Sequence, residues 1–297
     1  MKAWLISLRL RTLPLAIAVV STGAVMAYEA GTFQWKVYLL TLLTAALLQV
    51  LSNLANEYGD FEKGTDNEER QGPIRSMQEG KITKRAMLRA MAICGGLAFV
   101  SGVYLLYAAS LSQIVFWTFI GLGVVSILGA IFYTYGKSAY GYKGLGDLSV
   151  FLFFGLIGVA GSYYLFTKSL DQMIWLPAIA VGLFSTAVLN VNNVRDMDND
   201  KSSGKITLAV LLGKQGAIRY HYALLALGWL AAVVFTLINY KQMTDWLFLL
   251  ITPLLILNAN GVRRDAGKSI LDPKLKQMVL STLLFVILFS IGIVLRG

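Results

Sequence analysis

The stretch VYLLTLLTAALLQVLSNLA, residues 37–55, decides the fold. It holds no charged side chain over 19 positions, close to the roughly 20 residues that an α-helix needs to cross the hydrocarbon core of a bilayer. The sequence therefore predicts an all-α integral membrane protein with about nine transmembrane helices. Eight further stretches are similarly apolar, at residues 13–28, 87–107, 114–133, 148–166, 175–189, 222–238, 246–257 and 278–295.

The amino-acid composition agrees with this fold. Apolar residues make up 57% of the 297 positions and charged residues only 14%, whereas soluble domains average about half and a quarter. An ordinary cytosolic enzyme is thereby excluded, and so is a disulfide scaffold, because Cys94 is the only cysteine. Nine spans of about 20 residues leave only short loops, so we expect a single transmembrane domain over residues 1–297.

The start of the chain has two interpretations. The first apolar stretch follows Lys2, Arg9 and Arg11, which is also how a signal peptide begins. Eight more spans follow it and no convincing cleavage site does, so we predict that it is a retained span.

The distribution of lysine and arginine predicts the orientation. Alternate connecting segments carry 21 of these residues, against four in the remaining ones. Basic loops stay on the cytoplasmic side, so we expect a cytoplasmic N-terminus in a multi-pass protein of the cytoplasmic (inner) membrane. The net charge of +10 is then explained by loops that face anionic lipid, and we expect no nucleic-acid partner.

Acidic residues gather in two segments, 56–86 and 190–221, which hold ten of the 16 in the chain. Both segments follow an apolar span and leave the membrane on the same predicted side. We interpret them as two related motif loops, compatible with an internal duplication.

The spacing within these segments aligns their polar side chains. If the helices continue, Asn56 and Asp60 lie one turn apart on one face, and Asn192, Asp196 and Asp200 follow at i, i+4 and i+8. Carboxylate and amide oxygens at a membrane surface suit a hard divalent cation such as Mg²⁺, which is commonly held by a few carboxylates plus a substrate phosphate.

Basic side chains beside these acids supply the other half of such a site, because guanidinium and ammonium groups bind phosphate. The alternative is that the acids cap helix ends and form mutual salt bridges. The candidate ligands of a diphosphate are Lys63, Arg70, Arg75, Arg195 and Lys205.

At this point the sequence resembles a known family. The stretches NLANEYGDFEKGTDNEERQGPIRSM (53–77) and NVNNVRDMDNDKSSGKITLAVLLG (190–213) are similar to the two signature loops of UbiA-type intramembrane prenyltransferases. Further points are RTLP (11–14), YKGLGD (142–147) and FFGLIGVAGSYY (153–164). The resemblance runs from about residue 10 to residue 213 and is closest to the branch that prenylates 1,4-dihydroxy-2-naphthoate.

The resemblance implies nine helices bundled around a central cavity, which acidic motifs cap on the cytoplasmic side. It also implies bound Mg²⁺, with Mn²⁺ as a second option. The family usually has Asp where Glu57 stands, so that carboxylate reaches one methylene further. Together with the spacing, the resemblance gives as candidate metal ligands Asn56, Glu57, Asp60, Asp66, Asn192, Asp196 and Asp200.

The implied reaction moves a polyprenyl group from polyprenyl diphosphate to 1,4-dihydroxy-2-naphthoate, with loss of diphosphate and CO₂, and gives demethylmenaquinone in menaquinone synthesis. The partners are those two substrates and membrane lipid. We expect Asp60, Asp196 and Asp200 to be catalytic, and our hypothesis for the contact to the acceptor anion is Lys143. The allylic cation needs electron-rich walls, for which the candidates are Tyr104, Tyr107, Phe132, Tyr133, Tyr135, Phe151, Phe153, Phe154, Tyr163 and Tyr164.

Two other functions stay open. The same scaffold could prenylate another acceptor, such as 4-hydroxybenzoate, homogentisate or haem. A transporter for divalent cations or organic anions also places acids along a membrane path, but usually near the midplane. The span interiors here are nearly free of Asp and Glu, which favours an enzyme at the interface.

Overall fold

The computed structural model describes residues 2–67, 70–137, 139–266 and 269–296. Glu68 and Glu69 of the first acidic segment lie outside these ranges. Within the ranges, nine helices are long and apolar enough to cross a membrane, which confirms the predicted fold class. They are α1 Lys2–Glu29, α2 Trp35–Glu62, α3 Lys84–Ala108, α4 Gln113–Phe132, α5 Gly146–Thr167, α6 Gln172–Ser202, α7 Leu208–Ile238, α8 Met243–Asp265 and α9 Asp272–Val294.

The helices differ from the predicted spans mainly at their ends. The segments 56–86 and 190–221 were predicted as loops, but α2 continues to Glu62 and α6 to Ser202. A span predicted from hydropathy ends at the first charged residues. The helix itself can extend beyond the membrane, because its backbone hydrogen bonds do not depend on apolar side chains. The first acids of both segments are therefore held on helices, which fixes their spacing.

Helix α1 is interrupted near its start. Its first part ends at Leu8, Arg9 has the left-handed φ of 48°, and a short 3-10 turn leads to the long part at Leu13–Glu29. Helix α5 is also irregular, since Phe151–Ala160 is π-helical. Wider helical turns of this kind occur often at functional sites.

Helix α6 lies at the centre of the bundle. Of its most apolar window, 72% is buried inside the protein, whereas none of the corresponding window of α4 is. Helix α6 packs against α5, α7 and α9, and α1 packs against both α2 and α9, which closes the bundle. The motif segment of α6 therefore faces the interior, and α4 lies at the periphery.

Candidate active site

A cavity of about 380 Å³ opens between α1, α2, α5 and α6. Its walls are apolar over most of their length, with Leu15 and Val19 on α1 and Phe154 on α5. At one end the walls become polar and charged. This end brings together five of the seven predicted metal ligands, namely Asn56, Asp60, Asn192, Asp196 and Asp200.

The two motif helices end in the same way. Gly64 after α2 and Gly204 after α6 both take a left-handed φ, 71° and 72°. The next amide, of Thr65 or Lys205, donates back to the carbonyl of Asp60 or Asp200, at 2.9 and 2.7 Å. This Schellman-type cap favours a residue without Cβ at the left-handed position. The repeated Asp-x-x-x-Gly spacing agrees with the predicted internal duplication.

Lys205 lies between the two motifs. Its Nζ is 3.6 Å from Oδ1 of Asp60 and 3.5 Å from Oδ1 of Asp200, and the side chain is only 11% exposed. Burial works against the charged ammonium, but Asp60 and Asp200 outweigh it and raise the pKa of Lys205. The polar end of the cavity therefore holds a permanent cation between two carboxylates.

Tyr142 supports Asp60 from the loop before α5. Its hydroxyl donates to Oδ1 of Asp60 at 2.7 Å and lies 2.7 Å from Oγ1 of Thr65, which must then be the donor to it. Burial and the neighbouring Asp60 raise the pKa of Tyr142, so the phenol keeps its proton. The same loop is joined to the segment between α6 and α7 by a parallel bridge between Lys143 and Ile206.

The loop between α2 and α3 folds over the polar end. Arg70 lies 3.0 Å from Asp66 and 3.7 Å from Asp196, and Arg75 lies 3.9 Å from Asp66. Burial and the nearby Asp60 raise the pKa of Asp66, although both arginines oppose this. Arg70 and Arg75 line the cavity, whereas Asp66 lies behind them.

Arg195 is fully engaged within the protein. Its Nε and Nη2 bind both oxygens of Asp196 at 2.9 and 2.6 Å, Nη1 binds Asp272 at 2.8 Å, and Nη2 also reaches Asn192. It is 2% exposed and does not line the cavity. Arg195 thus connects α6 to α9 and orients Asp196, rather than presenting a free guanidinium to a diphosphate.

Three other predicted residues lie outside the cavity lining. The carboxylate of Glu57 is buried and accepts a hydrogen bond from the amide of Met77 at 3.0 Å, because one residue after Asn56 the helix turns it away. Lys63 donates to the carbonyl of Gly136 at 2.8 Å. Lys143 is exposed, so the structure does not bring it to the predicted acceptor contact.

The polar end has the donor set of a divalent cation. Among the described residues, no three carboxylates, histidines or cysteines are close enough to hold a metal ion together. Asp60 and Asp200 are nevertheless close enough for both to contact the ammonium group of Lys205. Oδ2 of Asp200 is also buried without a hydrogen-bond partner in the described ranges. Mg²⁺ takes such oxygen ligands and completes its shell with water and substrate phosphate. These residues therefore fit the ion.

A second, apolar cavity of about 670 Å³ adjoins the first. It lies between α2, α3, α4 and α5, and Leu48, Phe119 and Ile157 line both cavities. Of the predicted aromatic walls, Tyr133 and Phe153 line the first cavity together with Phe154, whereas Tyr107 is 70% exposed. The combined space is charged at one end and apolar beyond it.

Sequence reasoning missed several cavity residues. Gln49 and Asn53 extend the polar face of Asn56 and Asp60 along α2, and Arg9 enters the cavity from the break in α1. The signal for the first two was present, because Gln49, Asn53, Asn56 and Asp60 are spaced by four, three and four residues on an otherwise apolar helix. Nothing in the sequence distinguished Arg9 from a topology signal.

Comparisons with known proteins find related sequences and a shared fold. The 1,4-dihydroxy-2-naphthoate octaprenyltransferase of Escherichia coli (strain K12) is 46% identical over 98% of this chain and 95% of its own length. A UbiA homolog from Aeropyrum pernix K1 superposes with a TM-score of 0.69 at 18% identity, over 96% of this chain and 97% of that one.

A UbiA homolog from Archaeoglobus fulgidus, solved bound to DMAPP and Mg²⁺, superposes with a TM-score of 0.62 at 16% identity, over 98% of this chain and 99% of that one. At these identities the two solved structures establish the fold alone. Residues 16–270 match the UbiA prenyltransferase family. The chain belongs to that family.

Proposed function

We propose that this protein transfers a polyprenyl group from polyprenyl diphosphate to 1,4-dihydroxy-2-naphthoate, in the synthesis of menaquinone. The observation that carries the proposal is the buried cluster of Asp60, Asp200 and Lys205 at the charged end of an otherwise apolar cavity. A polyprenyl diphosphate has the same polarity, with one charged end and a long hydrocarbon tail. The relative named above, 46% identical over nearly the full chain, supports the choice of acceptor.

The charged end receives the diphosphate. Arg70, Arg75 and Lys205 line the cavity, and each already lies beside a carboxylate. Guanidinium and ammonium groups that are fixed before the reaction stabilise the charge that develops on a leaving group. When bound, Mg²⁺ would neutralise the diphosphate further, with Asn56, Asp60 and Asp200 as the candidate ligands. Mn²⁺ has the same preference for oxygen ligands.

Several residues outside the cavity lining act from the surroundings. Arg195 donates a hydrogen bond to Asp196, and Tyr142 donates one to Asp60. Glu57 accepts a hydrogen bond from the amide of Met77 and so fixes the loop that contains Arg75. Asp66 pairs with both loop arginines. Lys63 and Lys143 add positive charge outside the cavity, where they would attract anionic substrates from the cytoplasm.

The apolar part of the cavity receives the hydrocarbon. The tail would extend past Leu48 and Ile157 into the second cavity, which faces the lipid beside the peripheral helix α4. The allylic carbon lies nearer the charged end, where Tyr133 and Phe153 line the wall. Their ring faces stabilise a developing carbocation by about 0.5–2 kcal/mol each.

The bond changes balance without any further reactant. The prenyl carbon breaks its bond to the diphosphate oxygen, which leaves with the electron pair. The ring carbon that bears the carboxylate forms the new carbon–carbon bond. The carboxylate then departs as CO₂, and its bonding electrons return to the ring. The product is the prenylated naphthohydroquinone, the reduced form of demethylmenaquinone.

We also propose that residues 1–297 work as one transmembrane domain in the cytoplasmic (inner) membrane. The lysine and arginine bias supports a cytoplasmic position for the ends of α2 and α6. Both water-soluble groups, the diphosphate and the naphthoate carboxylate, would then enter from the compartment in which charged metabolites are made.

The test is product formation by the purified protein in detergent, followed by mass spectrometry. We expect a prenylated product that lacks the carboxyl group with dihydroxynaphthoate, and none after Mg²⁺ and Mn²⁺ are removed by a chelator. Prenylation of 4-hydroxybenzoate or homogentisate in its place would overturn the acceptor and keep the scaffold. No product with any acceptor, from folded protein, would favour the transporter.

A further inference from the structure

We infer that Arg9 and Gln49 form the subsite for the aromatic acceptor, in which Arg9 binds its carboxylate and Gln49 accepts a hydrogen bond from the adjacent ring hydroxyl. Both side chains line the first cavity. The inference rests on the proposed function, because it assumes that the acceptor is a hydroxylated aromatic acid. It assigns the acceptor contact to residues that the sequence did not single out.

The backbone at Arg9 is held in place at a cost. Its φ of 48° lies in the left-handed region, which is unfavourable by about 1–2 kcal/mol for a residue with a Cβ. The amide and hydroxyl of Thr12 both donate to its carbonyl, at 2.8 and 2.9 Å, and Asn53 donates to the carbonyl of Leu8 at 3.0 Å. Strain of this kind persists where the surroundings fix it, often at ligand sites.

The guanidinium of Arg9 has an open edge. Its Nε and Nη2 are buried and have no hydrogen-bond partner among the described residues. In Arg195 the same two nitrogens bind both oxygens of Asp196, at 2.9 and 2.6 Å. The open edge of Arg9 therefore matches a carboxylate in the same bidentate geometry. Leaving two buried donors of a charged group unpaired is costly, which favours an anion at this place.

Gln49 supplies the complementary acceptor. Its Nε2 donates to Oγ1 of Thr12 at 3.3 Å. That hydroxyl already gives its own hydrogen to the carbonyl of Arg9, so it can only accept from Gln49. The orientation of the amide is thereby fixed, and its Oε1 is left buried without a partner in the described ranges.

The two open groups select the ligand together. A fully ionised diphosphate has oxygen atoms for Arg9 but no hydrogen to give to Gln49. An aromatic acid with a hydroxyl next to its carboxylate offers both. Gln49 and Asn53 lie about three and about two turns of α2 before Asp60, and therefore deeper in the cavity than the diphosphate end. A ring bound there would lie beside the allylic carbon.

The test is equilibrium binding of three naphthalenes to the purified protein without prenyl diphosphate, so that no reaction occurs. The probes are 1-hydroxy-2-naphthoate, 1-naphthol, which lacks the carboxylate, and 2-naphthoate, which lacks the hydroxyl. Arg9→Gln should lower the affinity for 1-hydroxy-2-naphthoate by about 10- to 100-fold. It should change the affinity for 1-naphthol less than twofold. Gln49→Leu should lower the affinity for 1-hydroxy-2-naphthoate by about tenfold and leave the affinity for 2-naphthoate unchanged.

Three controls make the outcome decisive. Arg263→Gln removes one charge from an exposed position and should alter no affinity. Arg9→Lys keeps the charge without the fork and should recover only part of the loss. The Michaelis constant for prenyl diphosphate should stay within twofold in Arg9→Gln.

Two results would overturn the inference. One is an Arg9→Gln protein that still binds 1-hydroxy-2-naphthoate more tightly than 1-naphthol, together with a Lys143→Ala protein that no longer does. The other is a rise in the Michaelis constant for prenyl diphosphate that equals the loss in acceptor affinity. A wild-type protein that binds 1-hydroxy-2-naphthoate but forms no prenylated product from dihydroxynaphthoate would contradict the proposed function and leave the acceptor subsite standing.

Discussion

At the scale of single residues, the site is a set of opposite charges held close together before any substrate binds. Lys205 lies between Asp60 and Asp200, and Arg70 lies between Asp66 and Asp196. Salt bridges were the alternative explanation of the acidic motifs, and they are present. They do not explain why Asp60, Asp200 and Lys205 line the cavity, or why Oδ2 of Asp200 has no hydrogen-bond partner among the described residues.

Replacing a motif carboxylate should remove turnover and spare the fold. For Asp60→Asn we expect a turnover number lower by at least about 100-fold, because one preorganised polar group at a developing charge contributes that much. The hydroxyl of Tyr142 can still bind the amide oxygen, so the protein should insert normally. Turnover by the purified variant is the measurement, and Glu79→Gln, an exposed acid paired with Lys81, is the control. An active Asp60→Asn protein would exclude the two-motif site.

Removing the phenol that holds Asp60 should have a smaller effect. Tyr142→Phe loses the hydrogen bonds to Asp60 and Thr65 but keeps the ring. A hydrogen bond to a charged group contributes about 1.5–3 kcal/mol, so kcat/KM for prenyl diphosphate should fall by about 10- to 100-fold. Tyr104→Phe, at an exposed tyrosine, should leave kcat/KM unchanged. An equal effect of both substitutions would contradict a specific role for Tyr142.

At the scale of helices, the site depends on how α2 and α6 end. The spacing of Asn56, Asp60, Asp196 and Asp200 was enough to predict that these side chains share helix faces, because that inference needs only the period of a helix. The position of Arg9 was not predictable, because it depends on a strained turn that Asn53 and Thr12 hold from other parts of the fold. The position of Glu57 was not predictable either, because whether its side chain points into the cavity depends on which face of α2 packs against the other helices.

The cap after α6 should matter for the position of Lys205. In Gly204→Ala the left-handed conformation would cost about 1–2 kcal/mol, and a shift of the next residue would move the ammonium away from Asp60 and Asp200. We expect a lower thermal midpoint and a raised Michaelis constant for prenyl diphosphate. Gly31→Ala is the matched control, because Gly31 has the same φ of 72° in the turn after α1.

The control should lose stability to a similar extent and keep its Michaelis constant. If both alanine variants bind prenyl diphosphate as the wild type does, the cap does not position Lys205. If neither loses stability, the left-handed turns are not under strain.

At the scale of the whole molecule, the described residues form nine helices long enough to cross a membrane, and α1, α2, α5 and α6 enclose a cavity that is charged at one end. The number of helices and the all-α class followed from hydropathy, because a bilayer requires long apolar helices. The cavity could not be located in this way, since which apolar helix lies at the centre and which at the periphery depends on packing. Helix α4 is more apolar than α6, yet α6 is the buried one.

The orientation can be checked with single cysteines. In a Cys94→Ala background, we expect Lys143→Cys to react with a membrane-impermeant maleimide only from the cytoplasmic side, and Lys241→Cys only from the outer side. Both positions are exposed in the structure. Labelling in intact and inverted membrane vesicles is the measurement, and the reverse pattern would put the charged end of the cavity on the outer side.

The most direct test of the account is the release of labelled CO₂ from carboxyl-labelled dihydroxynaphthoate by the purified protein, measured together with the prenylated product. We expect one CO₂ for each product molecule, with both lost in Asp60→Asn and after removal of divalent metal. A prenylated product that retains the label, or release of CO₂ without prenyl diphosphate, would contradict it.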